Sequence, residues 1–346
     1  MTLKQKKTTV YFVPTLVQYA DDRDILVLET ILAHRGYRFL SCFERHEVVG
    51  VKACENDPAL TRRYAQAFVR LLKRQGYSTF VCHTSNRHLD HRSNGLLFAQ
   101  KTMDACQDKD EMAPVRALDG VYGEHEISRK FSRSLEGDVY LAGELPNIDG
   151  VVSVSTFTSA SETKPCGSIV NLGQGLASKK GKIHQRTTVC PQVNVAQCYA
   201  CRRCTRACPT NAITIVEGHA TIDTRKCIKC GKCVENAYSG DITYDWNAPP
   251  EHYYQSVAKH AKGALAVLRK MAMCVNIVMQ NDSQGPSFAG GMVSHDPVAV
   301  DCATVEFCEN NQLLSSDTIR RMRAQIEAAV CAGVGSANYK TETVAY

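Results

Sequence analysis

CYACRRCTRACP, residues 198–209, and CIKCGKCVENAY, residues 227–238, carry the strongest signal in this 346-residue chain. The first places Cys198, Cys201, Cys204 and Cys208 at the spacing CxxCxxCxxxC, with Pro209 directly after and the apolar pair Ala212 and Ile213 following. Three thiolates so spaced can wrap one iron–sulfur cubane, while the fourth, carried past a turn that proline fixes, points to a second cluster. Zinc sites more often draw on two separated cysteine pairs, which makes zinc the weaker reading. The second run repeats the spacing with Cys227, Cys230 and Cys233, and the connecting GHATIDTRK, 218–226, has the length of a short β-rich link.

Crossed ligation assigns Cys227, Cys230, Cys233 and Cys208 to one cluster. The other takes Cys198, Cys201 and Cys204 and expects a cysteine four residues past Cys233, where the chain has Ala237, followed by Tyr238 in place of the usual proline. The expected cofactors are therefore two iron–sulfur clusters. At least one is [4Fe-4S], and the second is either a [4Fe-4S] cluster with an open site or a [3Fe-4S] cluster. Four outcomes follow from the vacancy: a three-iron cluster, a replacement ligand such as Cys190 or Cys166, an exchangeable iron holding water, hydroxide or substrate, or an introduced alanine. An iron with an open position is a Lewis acid and an inner-sphere redox centre.

The rest of the chain bounds what surrounds this bacterial-ferredoxin-like module. Hydrophobic residues make up 44%, enough for a substantial core. The net charge of +6, from 41 basic and 35 acidic residues, is too mild to argue for nucleic acid and leaves room for an acidic partner such as a small electron carrier. No apolar run approaches the length of about 18 residues that suggests a membrane span, and the basic start runs straight into a strand pattern, so no membrane and no cleaved signal are expected. The cysteine count, 17, is high and odd. It argues for a reducing, cytoplasmic setting over a disulfide scaffold. The ten cysteines outside the two runs lie mostly among apolar residues, where cysteine acts as a small hydrophobe.

Strand and helix patterns alternate on both sides of the module. TVYFVPT (9–15) reads as a strand and 24–35 as an amphipathic helix. The clearest helix runs from Pro58 to Gly76, with Leu60, Tyr64, Phe68, Leu71 and Leu72 at helical spacing. STFVCHT (78–84) reads as a buried strand, 95–107 as a helix, and PVRAL as a strand ending at the Asp119-Gly120 turn. DVYLAG and GVVSVSTF are further strand patterns, and the Gly-rich stretch from Cys166 to Gln185 reads as a functional loop. After the module come a helix near 251–269, a strand near 274–279, a helix opening at Asp296-Pro297 and a last helix from Asp317 to about Cys331. The expected fold is a mixed α/β domain built from both chain ends, 1–187 and 248–346, with the two-cluster module, 188–247, inserted between them.

Other motifs are weaker. Gly175 to Lys182 has the spacing GxxxxxGK, with Ile183 where a phosphate loop needs Ser or Thr, so nucleotide hydrolysis is rejected. A dinucleotide fingerprint starting at Gly173 fails at Ser178. Lys179, Lys180, Lys182 and His184 can hold an anion and donate a proton, or else form a basic solvated face. His83, Asn86, Arg87, His88, Asp90, His91 and Arg92 form a polar run that is more often a loop than a metal site. Asp119 is a pocket candidate, and Asp296 before Pro297 is an N-cap candidate as well.

NLGQGLASKKGKIHQ before the cysteines and SHDPVAVDCAT (294–304) after them resemble the ferredoxin-containing members of the Domain of Unknown Function 362 family. The likeness takes in Asp119-Gly120, Asn171-Leu172-Gly173, Gly181-Lys182, His184, Asp296-Pro297 and Asp301. It implies an α/β domain interrupted by a two-cluster insert, with a redox role. The chain departs from the family pattern at Ala237, where cysteine is usual, and at Lys52-Ala53-Cys54, where a Lys-x-His pair is frequent.

The reading expected from these features is an iron–sulfur-dependent reductase. Single electrons pass from a donor protein of ferredoxin or flavodoxin type through the fully ligated cluster to the three-cysteine cluster, and on to a small-molecule substrate in the α/β cleft. Lys182, His184 and Asp119 are the candidate catalytic groups. The alternatives are a non-redox lyase using the open iron as Lewis acid, and a pure electron-transfer partner protein.

Overall fold

The computed structural model describes residues 7–14, 43–53, 58–85, 99–100, 113–130, 138–158, 166–186, 190–227, 232–238, 240–243, 250–270, 273–282 and 285–344. The helix expected at 24–35, nearly all of that expected at 95–107, and the polar run 86–92 lie outside them.

Strands β1 (Thr8–Pro14), β2 (Val48–Ala53), β3 (Ser78–His83), β4 (Val115–Ala117) and β7 (Gly150–Phe157) come from before the cysteine module. Strands β12 (Met273–Asp282), β13 (Gly285–Ser294) and β14 (Tyr339–Thr343) come from after it. They form one eight-stranded sheet in the order β14-β1-β13-β12-β7-β2-β3-β4. The β1–β13 and β12–β13 pairs are antiparallel and the rest parallel. This is a mixed α/β fold whose sheet draws on both chain ends. A separate hairpin joins β5 (Glu126–Lys130) to β6 (Asp138–Ala142).

Both faces of the sheet are covered, as its apolar strands require. Helix α1 (Pro58–Arg74) buries Tyr64, Phe68 and Leu72 against Val49, Val51, Val81, Val152 and Val154 on one face. It ends in a Schellman turn, with Tyr77 N–H bonded to Leu72 O (3.1 Å) and Gly76 N–H to Lys73 O (2.9 Å), and Gly76 takes the left-handed φ of 90° this turn needs. On the other face lie α2 (Ser168–Gly173), α3 (Lys179–His184), α6 (Pro250–Val267), α7 (Pro297–Asn310) and α8 (Ser316–Cys331). Asp296 caps α7 as expected, its Oδ1 accepting from Val298 N–H and Ala299 N–H.

The stretch from Cys166 to Gln185, expected as a functional loop, is instead the two short helices α2 and α3. Its glycines serve packing. A Cβ at Gly173 would stand 2.3 Å from the Val257 carbonyl oxygen on α6, and one at Gly181 would stand 2.2 Å from that of Tyr140 on β6. Tertiary contact here overrides the helix-breaking tendency of glycine.

The cysteine region is a small unit with its own core of Cys204, Ile213, Ala220, Cys233 and Ile242. It comprises β8 (Gln192–Val193) paired with β11 (Ile242–Thr243), the hairpin β9 (Ile213–Val216) and β10 (His219–Ile222), and helices α4 (Arg203–Ala207) and α5 (Lys232–Asn236). Among the described residues, no helix is long and apolar enough to cross a membrane.

Candidate metal centre

The two cysteine runs fold as two matching halves. In the first, Asn194 O accepts the Cys198 N–H (2.9 Å) and Asn194 N–H donates to Asp241 O (2.8 Å). In the second, Asp223 O accepts the Cys227 N–H (3.0 Å) and Asp223 N–H donates to Ala212 O (2.8 Å). Cys198, Cys201, Cys204 and Cys208 thus correspond in order to Cys227, Cys230, Cys233 and Ala237, and Ala212 corresponds to Asp241. Cys230 lies outside the described residues.

A narrow cleft opens between the halves. Cys198, Cys201, Cys204, Ala237 and Asp241 line it, with Arg202, Ile215, Ala220 and Ile242. Cys208 is not on its wall. The three cysteines of the first run therefore share a space with Ala237 from the second, the partition that crossed ligation demands. Neither replacement ligand considered from the sequence lines this cleft. Cys166 is buried in the α/β core with Phe157, Val278 and Cys308, and Cys190 Sγ lies 4.0 Å from Thr224 O, against the second run.

The donor set and its surroundings fit a cluster. Ala200 and Arg202, between the cysteines, hold left-handed φ values of 59° and 62°, a costly conformation for side-chain-bearing residues that curls the loop round the cleft. Backbone N–H groups point at sulfur, Ala212 to Cys208 Sγ (3.2 Å) and Ala220 to Cys198 Sγ (3.4 Å). Burial raises the Cys204 thiol pKa, and the charges of Cys201 and Cys198 add to the rise. At Cys208, burial also pushes upward, but donors from Thr210, Ala212 and Ile213 outweigh it and the pKa falls below the usual thiol value. Among the described residues no three His, Cys, Asp or Glu side chains converge on one point as a single metal ion requires. In a cubane each iron takes one thiolate, so the protein donors stand apart around a cage.

The Tyr199 and Tyr238 rings, next in sequence to the cleft residues Cys198 and Ala237, lie 5.5 Å apart, and Arg203 stacks 4.4 Å over the Tyr238 ring. Both tyrosines are about half exposed, and nothing in the sequence reading singled out this pair as a site feature.

The candidates in the α/β domain separate into two groups. Asp119, fully buried after β4, accepts the Ser85 N–H on both oxygens (2.8 and 3.0 Å) and the Ser85 hydroxyl (3.2 Å). Burial raises its pKa, against the nearby Lys182 charge. Lys182 is itself buried and donates to Thr84 O (3.0 Å), while the Thr84 hydroxyl donates to Gly175 O (2.9 Å). Lys52, buried at the end of β2, donates to Ala53 O (2.6 Å). These groups gather at the C-terminal ends of parallel strands, where α/β sheets place ligands. His184 is not among them. Its ring packs against Tyr140 (5.5 Å) and His260 (6.1 Å). His260 accepts the Tyr140 N–H at Nε2, which leaves Nδ1 protonated to donate to Ser256 O (2.7 Å), and burial holds its pKa down at about 3.

Asn171 and Asp301 act inside the fold. Asn171 Nδ2 donates to Lys52 O, Ser153 Oγ and Val154 O, tying α2 to the sheet. Asp301 accepts from Ser168 N–H, Ile169 N–H and Asn276 Nδ2.

No curated protein and no solved structure matches the chain. A family model described as "Domain of unknown function (DUF362)" matches residues 51–306, from within β2 to within α7. That span takes in both cysteine runs, the buried groups at the strand ends and the Asn171 and Asp301 ties, and on it the chain belongs to the DUF362 family.

Proposed function

We propose that the protein is an iron–sulfur oxidoreductase, a ferredoxin-containing member of its family, that reduces a small substrate. The observation that carries this reading is the cleft lined by Cys198, Cys201, Cys204 and Ala237. Three thiolates face a space whose fourth corner is a methyl group, so one metal position is left for an exchangeable ligand. When bound, two clusters would supply one-electron transfer and, at that position, Lewis acidity.

In this reading Cys208, Cys227, Cys230 and Cys233 hold the relay cluster, and Cys198, Cys201 and Cys204 the working one. A two-electron reduction takes two electrons, one at a time, from a reduced carrier protein of ferredoxin or flavodoxin type, and two protons from protein groups and water. Arg202, on the cleft wall, favours a substrate with negative charge. His184 keeps partial exposure and suits proton supply, whereas Lys182 and Asp119 are buried and bond to Thr84 and Ser85 beside β3. The odd, high cysteine count supports a reducing compartment such as the cytoplasm.

The test is anaerobic reduction followed by rapid mixing with a broad panel of small oxo, hydroxy and unsaturated acids. Substrate-dependent reoxidation supports the reading, and its absence across the panel counts against it. Turnover without reductant at constant oxidation state would move the protein to the lyase class. A stable complex with a partner enzyme and no turnover would make it a carrier.

A further inference from the structure

We infer that the face of the cysteine module formed by Tyr199, Tyr238 and the arginines of the first run is the docking surface for an acidic one-electron carrier protein. The inference rests on the iron–sulfur reading above and gives its electron donor a place to bind.

Exposed apolar side chains gather on this small unit. Among the described residues, Val195, Tyr199, Val216 and Tyr238 stand exposed on it, against Tyr122 and Val330 on the rest of the chain. Three of the four belong to one surface. The Tyr199 and Tyr238 rings lie 5.5 Å apart, and Arg203 stacks over Tyr238 at 4.4 Å. Val195 joins them through the backbone. The N–H of its neighbour Asn194 donates to Asp241 O (2.8 Å) and the Asp241 N–H donates to Tyr238 O (3.1 Å), which sets the turns 194–198 and 238–241 side by side. Tyrosine and arginine are the side chains that interface centres favour, and an exposed cluster of them marks an association site.

Charge selects the partner. From Val195 to Val216 the chain carries three arginines, Arg202, Arg203 and Arg206, and no acidic residue. All three arginines are exposed, whereas the neighbouring Asp241 is buried. A positive rim beside an aromatic centre steers and holds an acidic protein. Position selects electron transfer. Tyr199, Arg202 and Arg203 lie between Cys198 and Cys204, and α4, which carries Arg203 and Arg206, ends at Cys208, the relay thiolate of the crossed assignment. A carrier seated on α4 therefore stands beside Cys208, where one electron leaves the carrier and one enters the relay, with no proton moved.

The test uses the full chain reconstituted anaerobically with iron and sulfide, with an acidic ferredoxin and an acidic flavodoxin as probes. Calorimetry of the oxidised partners reads binding without turnover, and rapid mixing with the reduced probes reads the rate. The dissociation constant should rise at least about tenfold between about 20 and about 300 mM salt. Arg203→Glu combined with Arg206→Glu should weaken binding at low salt at least about tenfold, flatten the salt dependence and slow reduction in proportion. Tyr199→Ser should weaken binding about tenfold at both salt concentrations. Lys340→Glu, a charge reversal on strand β14, should change neither readout beyond about twofold. Binding that ignores salt and the arginine changes would overturn the assignment. A dimer in sedimentation that Tyr199→Ser breaks would overturn it in favour of a second copy of the chain. Iron counting and added cyanide separate this failure from that of the parent reading. About eight irons per chain and a cyanide-shifted spectrum, with the arginine variants unaffected, remove the docking surface alone, whereas no bound iron and no cyanide shift remove both.

Discussion

Asp301 on α7 caps helix α2 from 133 residues further along the chain, its Oδ1 accepting the Ser168 N–H at 2.8 Å. Its Oδ2 takes the Ile169 N–H (3.0 Å), and Asn276 Nδ2 bonds Oδ1 (2.7 Å). Asp301→Asn turns an acceptor into a donor facing N–H groups, and should cost about 2–4 kcal/mol in urea denaturation.

The same residue makes a pH prediction. Burial raises the Asp301 carboxyl from 3.8 to about 6, and the Asp296 charge adds to the rise. Between those values the native state holds a proton that the unfolded state releases, so acidification stabilises through this group. His260 works oppositely. Its pKa falls from 6.5 to about 3, so below about 6.5 the unfolded state gains a proton the native state lacks. Between pH 6 and 4 the two effects oppose each other. Removing Asp301 should therefore steepen the acid loss of stability by up to about 1.4 kcal/mol per pH unit, readable from denaturant midpoints across that window.

Gly173→Ala discriminates a packed helix from a free loop by sign. The added Cβ meets the Val257 carbonyl at 2.3 Å, so stability should fall by about 1–3 kcal/mol. Were the segment a mobile loop, the substitution would stabilise by about 0.4–1 kcal/mol through the unfolded chain. Thermal melts of the two proteins settle the sign.

Most α/β elements were legible because their signals are local: the apolar spacing of Tyr64, Phe68 and Leu72, the Asp296-Pro297 cap, the β-branched run in β7. Strand β13, GPSFAGGMVS, was not. Its glycines carry no strand preference, and pairing with β1 and β12, distant in sequence, puts it in the sheet. The two cysteine runs were legible for the same local reason, their spacing. That Asp241 and Ile242 stand on the cleft wall was not, because only the pairing of Ile242 with Val193 brings them there.

Lys182 and Asp119 are both buried, and the Lys182 charge lowers the Asp119 pKa against the rise that burial causes. Lys182→Met leaves the Asp119 carboxylate, already raised by burial, without its nearby cation. The expected loss is about 3–5 kcal/mol, part of it recovered by adding Asp119→Asn. A double-mutant cycle in urea measures the coupling. If Lys182→Met were instead fully stable, the pairing would not be structural.

On the proposed crossed assignment Cys208 and Cys201, seven positions apart, belong to different clusters. Cys201 lines the cleft with Ala237, and Cys208 does not. Cys201→Ala should therefore remove the signal of the working cluster, and Cys208→Ala should disturb the relay, each leaving the other signal in place. Electron paramagnetic resonance of the two reduced variants reads this directly. Loss of the same signal in both would contradict crossed ligation.

Ala237→Cys closes the argument, because its side chain already faces the three cysteines across the cleft. A thiolate there should complete four-cysteine ligation and exclude substrate from the open position. The Ala237 and Asp241 counterparts in the first half show that the fold accepts this chemistry, since Cys208 sits there with the Ala212 N–H on its sulfur. The variant should keep the fold, the relay signal and about eight irons per chain, while losing the cyanide response and substrate-dependent reoxidation at least about a hundredfold. Full turnover with spectroscopy showing four thiolates at both clusters would instead place electron exit elsewhere on the molecule and make the protein a relay.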